Sequence, residues 1–343
     1  MKNYVKMEIV QLERRNHMAS SITHGYFIMD VYDRLGIKSK ELLVGHKELL
    51  KTTAQSMDVL FFYNITNLKK GKKVRDFGNY FHNHKTYLFF ETLINYIKYN
   101  QHQYNPEVMA FLYGMLSHYV LDSTMHPYVF YKTGNFDRKD HNTYKYNHLH
   151  ADLEAYFDNY LVMIKENMIP YHFKCHEWCF NVERINKELI EVMDFTYKEV
   201  FGISEFHKYY LKSIQQMKFF FHVFRYDPTG IKKFGYQIID LACPKFLLRK
   251  VSLSYHIKMK GKKELLNLGH KRWYNPTDKR TKSNESLLEL YTKSLDKTVK
   301  MIQEINQYLY YDKKINLKKV IGNNSYLTGK DCSKQKELKY FEF

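Results

Sequence analysis

Three observations on the 343-residue chain predict an all-α fold. Its 44% hydrophobic and 17% aromatic content is that of a globular protein with a large core, not of a disordered tail. Only 6 prolines and 14 glycines punctuate it, with no regular strand–turn rhythm. Several long segments place apolar residues at the three- and four-residue steps of an amphipathic helix.

Residues 1–17 read as a polar extension, with Met18 as an alternative start. Ser20 and Ser21 then precede a capped helix to Leu35, with Phe27, Val31 and Leu35 on one face. His24 lies on that face near the start, where a lone histidine is more often a cap or a core residue than a ligand. Asp58 adjoins the apolar block Val59–Tyr63. There it must cap a helix, pair with a cation or bind a metal, and capping is the commoner choice.

Lys69-Lys-Gly-Lys-Lys73 reads as a loop. The segment from Phe77 should open a helix running through Phe89, Phe90, Leu93, Ile94 and Ile97. On it His82 is in line with Thr86, Phe89 and Leu93, whereas His84 aligns with Leu88 and Glu91 and is the weaker candidate.

Residues 107–130 form the most informative helix. His118, Asp122 and His126 follow one another at four-residue steps, one turn plus about 40°, so they share one slowly drifting stripe. Phe111, Met115 and Met125 lie on or beside it, so this face ought to be buried. Buried histidines and aspartates cost several kcal/mol without partners, and a divalent metal between them is the obvious candidate. Gly114 would let another helix approach closely, and Pro127 should kink or end the helix.

After a polar loop over 137–145, two pairs compete in the next helix. His150 and Glu154 share a face with Leu153, Phe157 and Leu161 and read as ligands. His148 and Asp152 share theirs with Ala155 and Asn159 and read as an exposed helix pair. Further helices are expected over 183–200, 206–225, 230–256 and 284–311, the last opened by a Ser286–Glu289 capping box. His207, His222, His256 and His270 stand apart from carboxylates at ligand spacing and read as packing or surface residues.

Lys and Arg outnumber Asp and Glu by 54 to 36, a net charge of +18. An anionic partner fits this: phospholipid headgroups, nucleic acid or a phosphorylated small molecule. Lysines spread over solvated helix faces are the plainer reading. Cys175, Cys179, Cys243 and Cys332 make no paired zinc spacing and no disulfide scaffold, and Cys175–Cys179 reads as a structural, loop-like stretch. The N-terminus lacks the apolar core of a signal peptide, and no run approaches the ~18 apolar residues of a membrane span. A cytoplasmic location is the resulting expectation.

The core-facing candidates are therefore His24, Asp58, His82, His118, Asp122, His126, His150 and Glu154. Five imidazoles and three carboxylates exceed one zinc site and suit two or three ions; they are unlike the cysteine-rich structural modules. Five segments carrying them resemble the zinc-dependent phospholipase C family (phospholipase C/D domain), which shares its fold with S1/P1-type nucleases. They are Thr23-His-Gly-Tyr-Phe27, Ala54-Gln-Ser-Met-Asp58, Phe81-His-Asn-His-Lys-Thr86, Gly114 to Pro127, and His150-Ala-Asp-Leu-Glu154. Trp273-Tyr-Asn-Pro276 and Tyr326-Leu-Thr-Gly329 resemble C-terminal segments of intracellular relatives.

The resemblance implies a multihelical phospholipase C/P1 nuclease-like bundle with additional C-terminal helices. It divides the chain into the 1–17 extension, a metal-site region over 18–165 and a helical C-terminal region over 166–343 on the same domain. It implies that Asp58, His82, His118 and Asp122 hold one Zn²⁺, that His126, His150 and Glu154 hold a second, and that His24 with a bridging Asp122 holds a third. Asp58 is the general base that the resemblance implies. The implied reaction is attack of a zinc-bound water on a phospholipid phosphodiester, releasing diacylglycerol and a phosphorylated headgroup, with peripheral membrane contact. A zinc nuclease of the S1/P1 type and a non-catalytic zinc-binding helical protein are the alternatives. Secreted members carry an N-terminal tryptophan on the third zinc and a longer Asp-to-His spacing. Here no tryptophan precedes His24, and the shorter spacing still keeps one helical stripe.

Overall fold

The computed structural model describes residues 20–342, apart from 138, 169, 226, 228, 230, 243–262 and 335–336. Residues 1–17, Met18, Cys243 and His256 lie outside the described residues. Three helices, α1 (Ser21–Arg34), α2 (Ile37–Leu43) and α3 (Lys47–Thr53), lead to a 3-10 turn over Ser56–Phe62. α4 (Leu68–Phe81) and α5 (Thr86–Tyr99) precede the long α6 (Pro106–Thr133), then α7 (Leu149–Glu166) and α8 (Cys175–Trp178). α9 (Lys187–Phe201), α10 (Phe206–Val223) and α11 (Ile231–Ala242) follow. A hairpin of β1 (Trp273–Asn275) and β2 (Asp278–Ser283), then α12 (Leu287–Tyr311) and α13 (Leu317–Ile321), complete the elements. Thirteen helices against one two-stranded sheet, among the described residues, make the fold all-α.

α6 is the axis, with α1, α3, α7 and α12 packed against it. Pro106 stands in its first turn, where a missing N–H costs nothing, and the Asn105 side chain accepts from the Glu107 and Val108 amides. α12 opens with the expected capping box between Ser286 and Glu289. One continuous buried core runs from Ile22 to Tyr326.

Local expectations fail in several places, each for a physical reason. Pro127 does not end the helix: α6 continues to Thr133, and Gly134 at φ +71° stops it. The Ser123 carbonyl that Pro127 leaves without its helical donor is covered by Gly329, where a Cβ would lie 2.3 Å from that oxygen. Lys69–Lys73 is not a loop but the first part of α4, capped by Asn67 and supported by a 2.7 Å Lys72–Asp76 pair. Gly71 is there for close approach, since a Cβ would meet the Tyr63 carbonyl oxygen at 2.3 Å.

The helix expected from Phe77 is two helices broken at 82–85, with Lys85 in the left-handed region at φ +58°. Ser20 precedes α1 but its hydroxyl does not cap it; it donates to Asp158 at 2.6 Å. Only 231–242 of the expected 230–256 helix lies within the described residues. Cys175–Trp178 is a short helix rather than a loop; Cys175 and Cys179 are buried, and Trp178 fills the space a side chain at Gly25 would need.

Candidate metal centre

Five pieces of chain supply the eight candidates. α1 carries His24, the 3-10 turn Asp58, the break after α4 His82, α6 the stripe His118–Asp122–His126, and α7 His150 and Glu154. The α6 stripe forms because its spacing is helical and that face is buried. Asp58 is not a cap: it sits inside the 3-10 turn, whose capping position is Gln55, and its carboxylate meets His82 Nε2 at 3.0 Å. His118 Nε2 lies 3.9 Å from the other Asp58 oxygen.

Asp122 is the common neighbour. Its Oδ1 is 3.3 Å from His24 Nε2, and its Oδ2 is 3.1 Å from His118 Nε2 and 3.6 Å from His126 Nδ1. Glu154 Oε1 lies 3.0 Å from His150 Nε2 and 3.5 Å from His126 Nε2. Three groups of ligand atoms, each within 4.8 Å of one another, result: His24/Asp58/His118, His82/His118/Asp122 and His126/His150/Glu154. All eight candidates fall in these groups; His84 and Cys175/Cys179 do not. The His24 and His118 rings stack at 4.1 Å.

Backbone carbonyls orient three of the imidazoles. His82 Nδ1–H donates to the Gly78 carbonyl at 2.6 Å, His118 Nδ1–H to Ala54 at 2.9 Å and His126 Nδ1–H to Tyr326 at 3.0 Å. Each thereby turns Nε2 toward the carboxylates, the outer-shell arrangement typical of metal-ligating histidines. His118 Nε2, Asp122 Oδ2 and Glu154 Oε2 are buried without a hydrogen-bond partner. Such atoms cost about 1–3 kcal/mol each when left unsatisfied, so the donor set fits a cation that would satisfy them together.

The electrostatics point the same way. Burial pushes the Asp58 and Asp122 carboxyls up, but the surrounding imidazoles, His118 foremost, outweigh it and hold both below the usual range, Asp122 well below. Glu154 is likewise lowered against its burial, mainly by His150. His126 is pushed up to about 9 because Asp122 and Glu154 overcome its desolvation. A field that retains a proton at His126 also attracts a divalent cation.

A small cleft opens onto the cluster between His24, Asp58, Phe61, Asn79, His126 and Leu327. The sequence reading missed three contributors. Asp158 accepts from the Ser20 hydroxyl at 2.6 Å, the Thr23 hydroxyl at 2.6 Å and the Thr23 amide at 2.8 Å, so it clamps the start of α1 to α7. It stands four residues after Glu154, on the same stripe as His150, and that spacing was available. Asn79 had no local signal, and the Tyr326 segment stood out only by resemblance, with nothing to show that its carbonyl would hold His126. His148 and Asp152 are not an exposed helix pair: His148 precedes α7 at φ +67°, and both side chains are half-buried, with His148 Nε2 and Asp152 Oδ2 3.9 Å apart. His207 donates to Asp194 at 2.7 Å and belongs to none of the three groups.

A family model described as zinc dependent phospholipase C matches residues 23–214, more than half of the chain and every one of the eight candidates. No curated protein and no solved structure matches the chain.

Proposed function

The chain belongs to the zinc-dependent phospholipase C family, a hydrolase family, and on that premise we propose that it is a zinc-dependent phosphodiester hydrolase cleaving phospholipid to diacylglycerol and a phosphorylated headgroup. The observation that carries this reading is the convergence of eight histidine and carboxylate side chains from five pieces of chain inside the matched region. Asp58, His82, His118 and Asp122 would hold one Zn²⁺; His126, His150 and Glu154 a second; His24 with Asp122 a third. When bound, zinc lowers the pKa of a coordinated water to about 7 and offsets the charge on the reacting phosphoryl group.

The chain's own residues do the rest. Asp58 takes a proton from the attacking water; its two oxygens face His82 and His118, which keep it ionised. Asp122 holds the central imidazoles in register. Asn79 and Phe61 line the cleft through which the substrate would reach the cluster. Residues 18–165 and 166–343 form one domain in this reading, supported by the core that spans both. Among the described residues no helix is long and apolar enough to cross a membrane, which suits a lipid substrate met from the surface.

Metal analysis of the purified protein and hydrolysis of phosphatidylcholine, followed as diacylglycerol release, test the proposal. A folded, metal-free protein with no hydrolysis would sink it. Cleavage of single-stranded nucleic acid with no lipid turnover would instead select the nuclease reading.

A further inference from the structure

α11 exposes an apolar face that nothing among the described residues covers. Ile231, Phe234, Ile238 and Leu241 are 75%, 66%, 51% and 87% exposed. Their spacing puts them within a quarter-turn of one another on the helix. The opposite side touches the end of α10: the Tyr236 ring stacks on Phe224 at 5.5 Å, and the Lys232 ammonium donates to the Val223 carbonyl at 3.2 Å. Asp227 caps the start, accepting from the Lys232 amide at 2.9 Å. The helix is thus tied to the end of α10 with its oily side outward, and four large apolar side chains gathered on one face mark an interaction surface rather than ordinary scattered exposure.

Charge selects the partner. The +18 surplus is not evenly spread: residues 206–262 contain twelve Lys and Arg against two Asp, a surplus of ten. A helix with large apolar side chains on one face, in a strongly basic stretch, fits the boundary between headgroups and acyl chains of an anionic bilayer. Among the described residues no helix is long and apolar enough to cross one.

We infer that α11 is an interfacial helix that docks the protein on anionic phospholipid surfaces, with Ile231, Phe234, Ile238 and Leu241 entering the bilayer boundary. The inference builds on the phospholipid reading, for which it supplies the encounter with a lipid surface. It is tested with the full chain by co-sedimentation with vesicles of phosphatidylcholine alone or with about a third phosphatidylglycerol. The wild type should sediment roughly tenfold more with the anionic vesicles, and Phe234→Ser/Leu241→Ser should lose most of that fraction. The same double variant should keep wild-type circular dichroism and wild-type hydrolysis of a short-chain, monomeric phosphatidylcholine.

Equal sedimentation of variant and wild type, no sedimentation at all, or a wild-type dimer that the variant converts to monomer would overturn the inference. The last result would give the face to a second copy of the chain. Failure of the phospholipase reading shows differently, as absent hydrolysis of the soluble lipid, whatever the vesicles report.

Discussion

His126 Nδ1–H donates to the backbone carbonyl of Tyr326 at 3.0 Å, across 200 residues of chain. The Tyr326 amide donates in turn to the His82 carbonyl at 2.9 Å. One C-terminal residue therefore braces two candidate ligands, and Gly329 brings that segment onto the Ser123 carbonyl of α6.

Gly329→Val should loosen this brace. The new Cβ would meet Ser123 O at 2.3 Å, and φ of +62° is strained for a β-branched residue. A stability loss of about 2–3 kcal/mol is expected in thermal unfolding, with less bound zinc. A variant with wild-type zinc and an unchanged Tm would refute the role of the segment.

Asp122→Ala should lower the zinc content more than His24→Ala. Asp122 faces three imidazoles within 3.6 Å, whereas His24 meets only one member of the cluster's carboxylates at ion-pair distance. Metal analysis of the two variants decides it; equal losses would remove Asp122 from the bridging position.

Asp58→Asn should keep the fold and at least part of the metal while lowering hydrolysis by about 10²–10⁴-fold, the contribution usual for a general base. Retained activity would move the base elsewhere. Loss of all metal would make Asp58 a ligand first.

Asp158 should make stability fall with rising pH. Its burial, against the hydrogen bonds from Ser20 and Thr23, pushes its pKa from 3.8 up to about 6. The folded state thus holds a proton that the unfolded state has already released, so stability is lost as pH climbs between those values. The full effect is about 3 kcal/mol. Denaturant unfolding of wild type and Asp158→Asn across this range should show the difference; parallel pH profiles would contradict it.

Gly114→Val should separate α3 from α6. A Cβ there would lie 2.2 Å from Thr53 Oγ1 and 2.7 Å from the Thr53 carbonyl carbon. The next residue, Ala54, supplies the carbonyl that orients His118. A cost of about 3 kcal/mol or failure to fold is expected, read by circular dichroism and thermal unfolding.

Amino-acid order alone determined the parts of the centre that lie within one helix. The stripes His118–Asp122–His126 and His150–Glu154 are legible because helical spacing sets their directions whatever they pack against. The helical class was legible for the same reason, and so was the capping box of α12. The tertiary structure decided everything that depends on what comes from elsewhere. Asp58 looked like a cap and His82 like a helix residue until distant packing brought the two within 3.0 Å. Pro127 stays inside a helix, with Gly329 lying against the carbonyl it strands, and Ser20 turns from its own helix to Asp158. Ligand type and spacing are local properties of a sequence. Which nitrogen of His82, His118 and His126 faces inward is set by carbonyls of Gly78, Ala54 and Tyr326, two of them 64 and 200 residues from the histidines they hold.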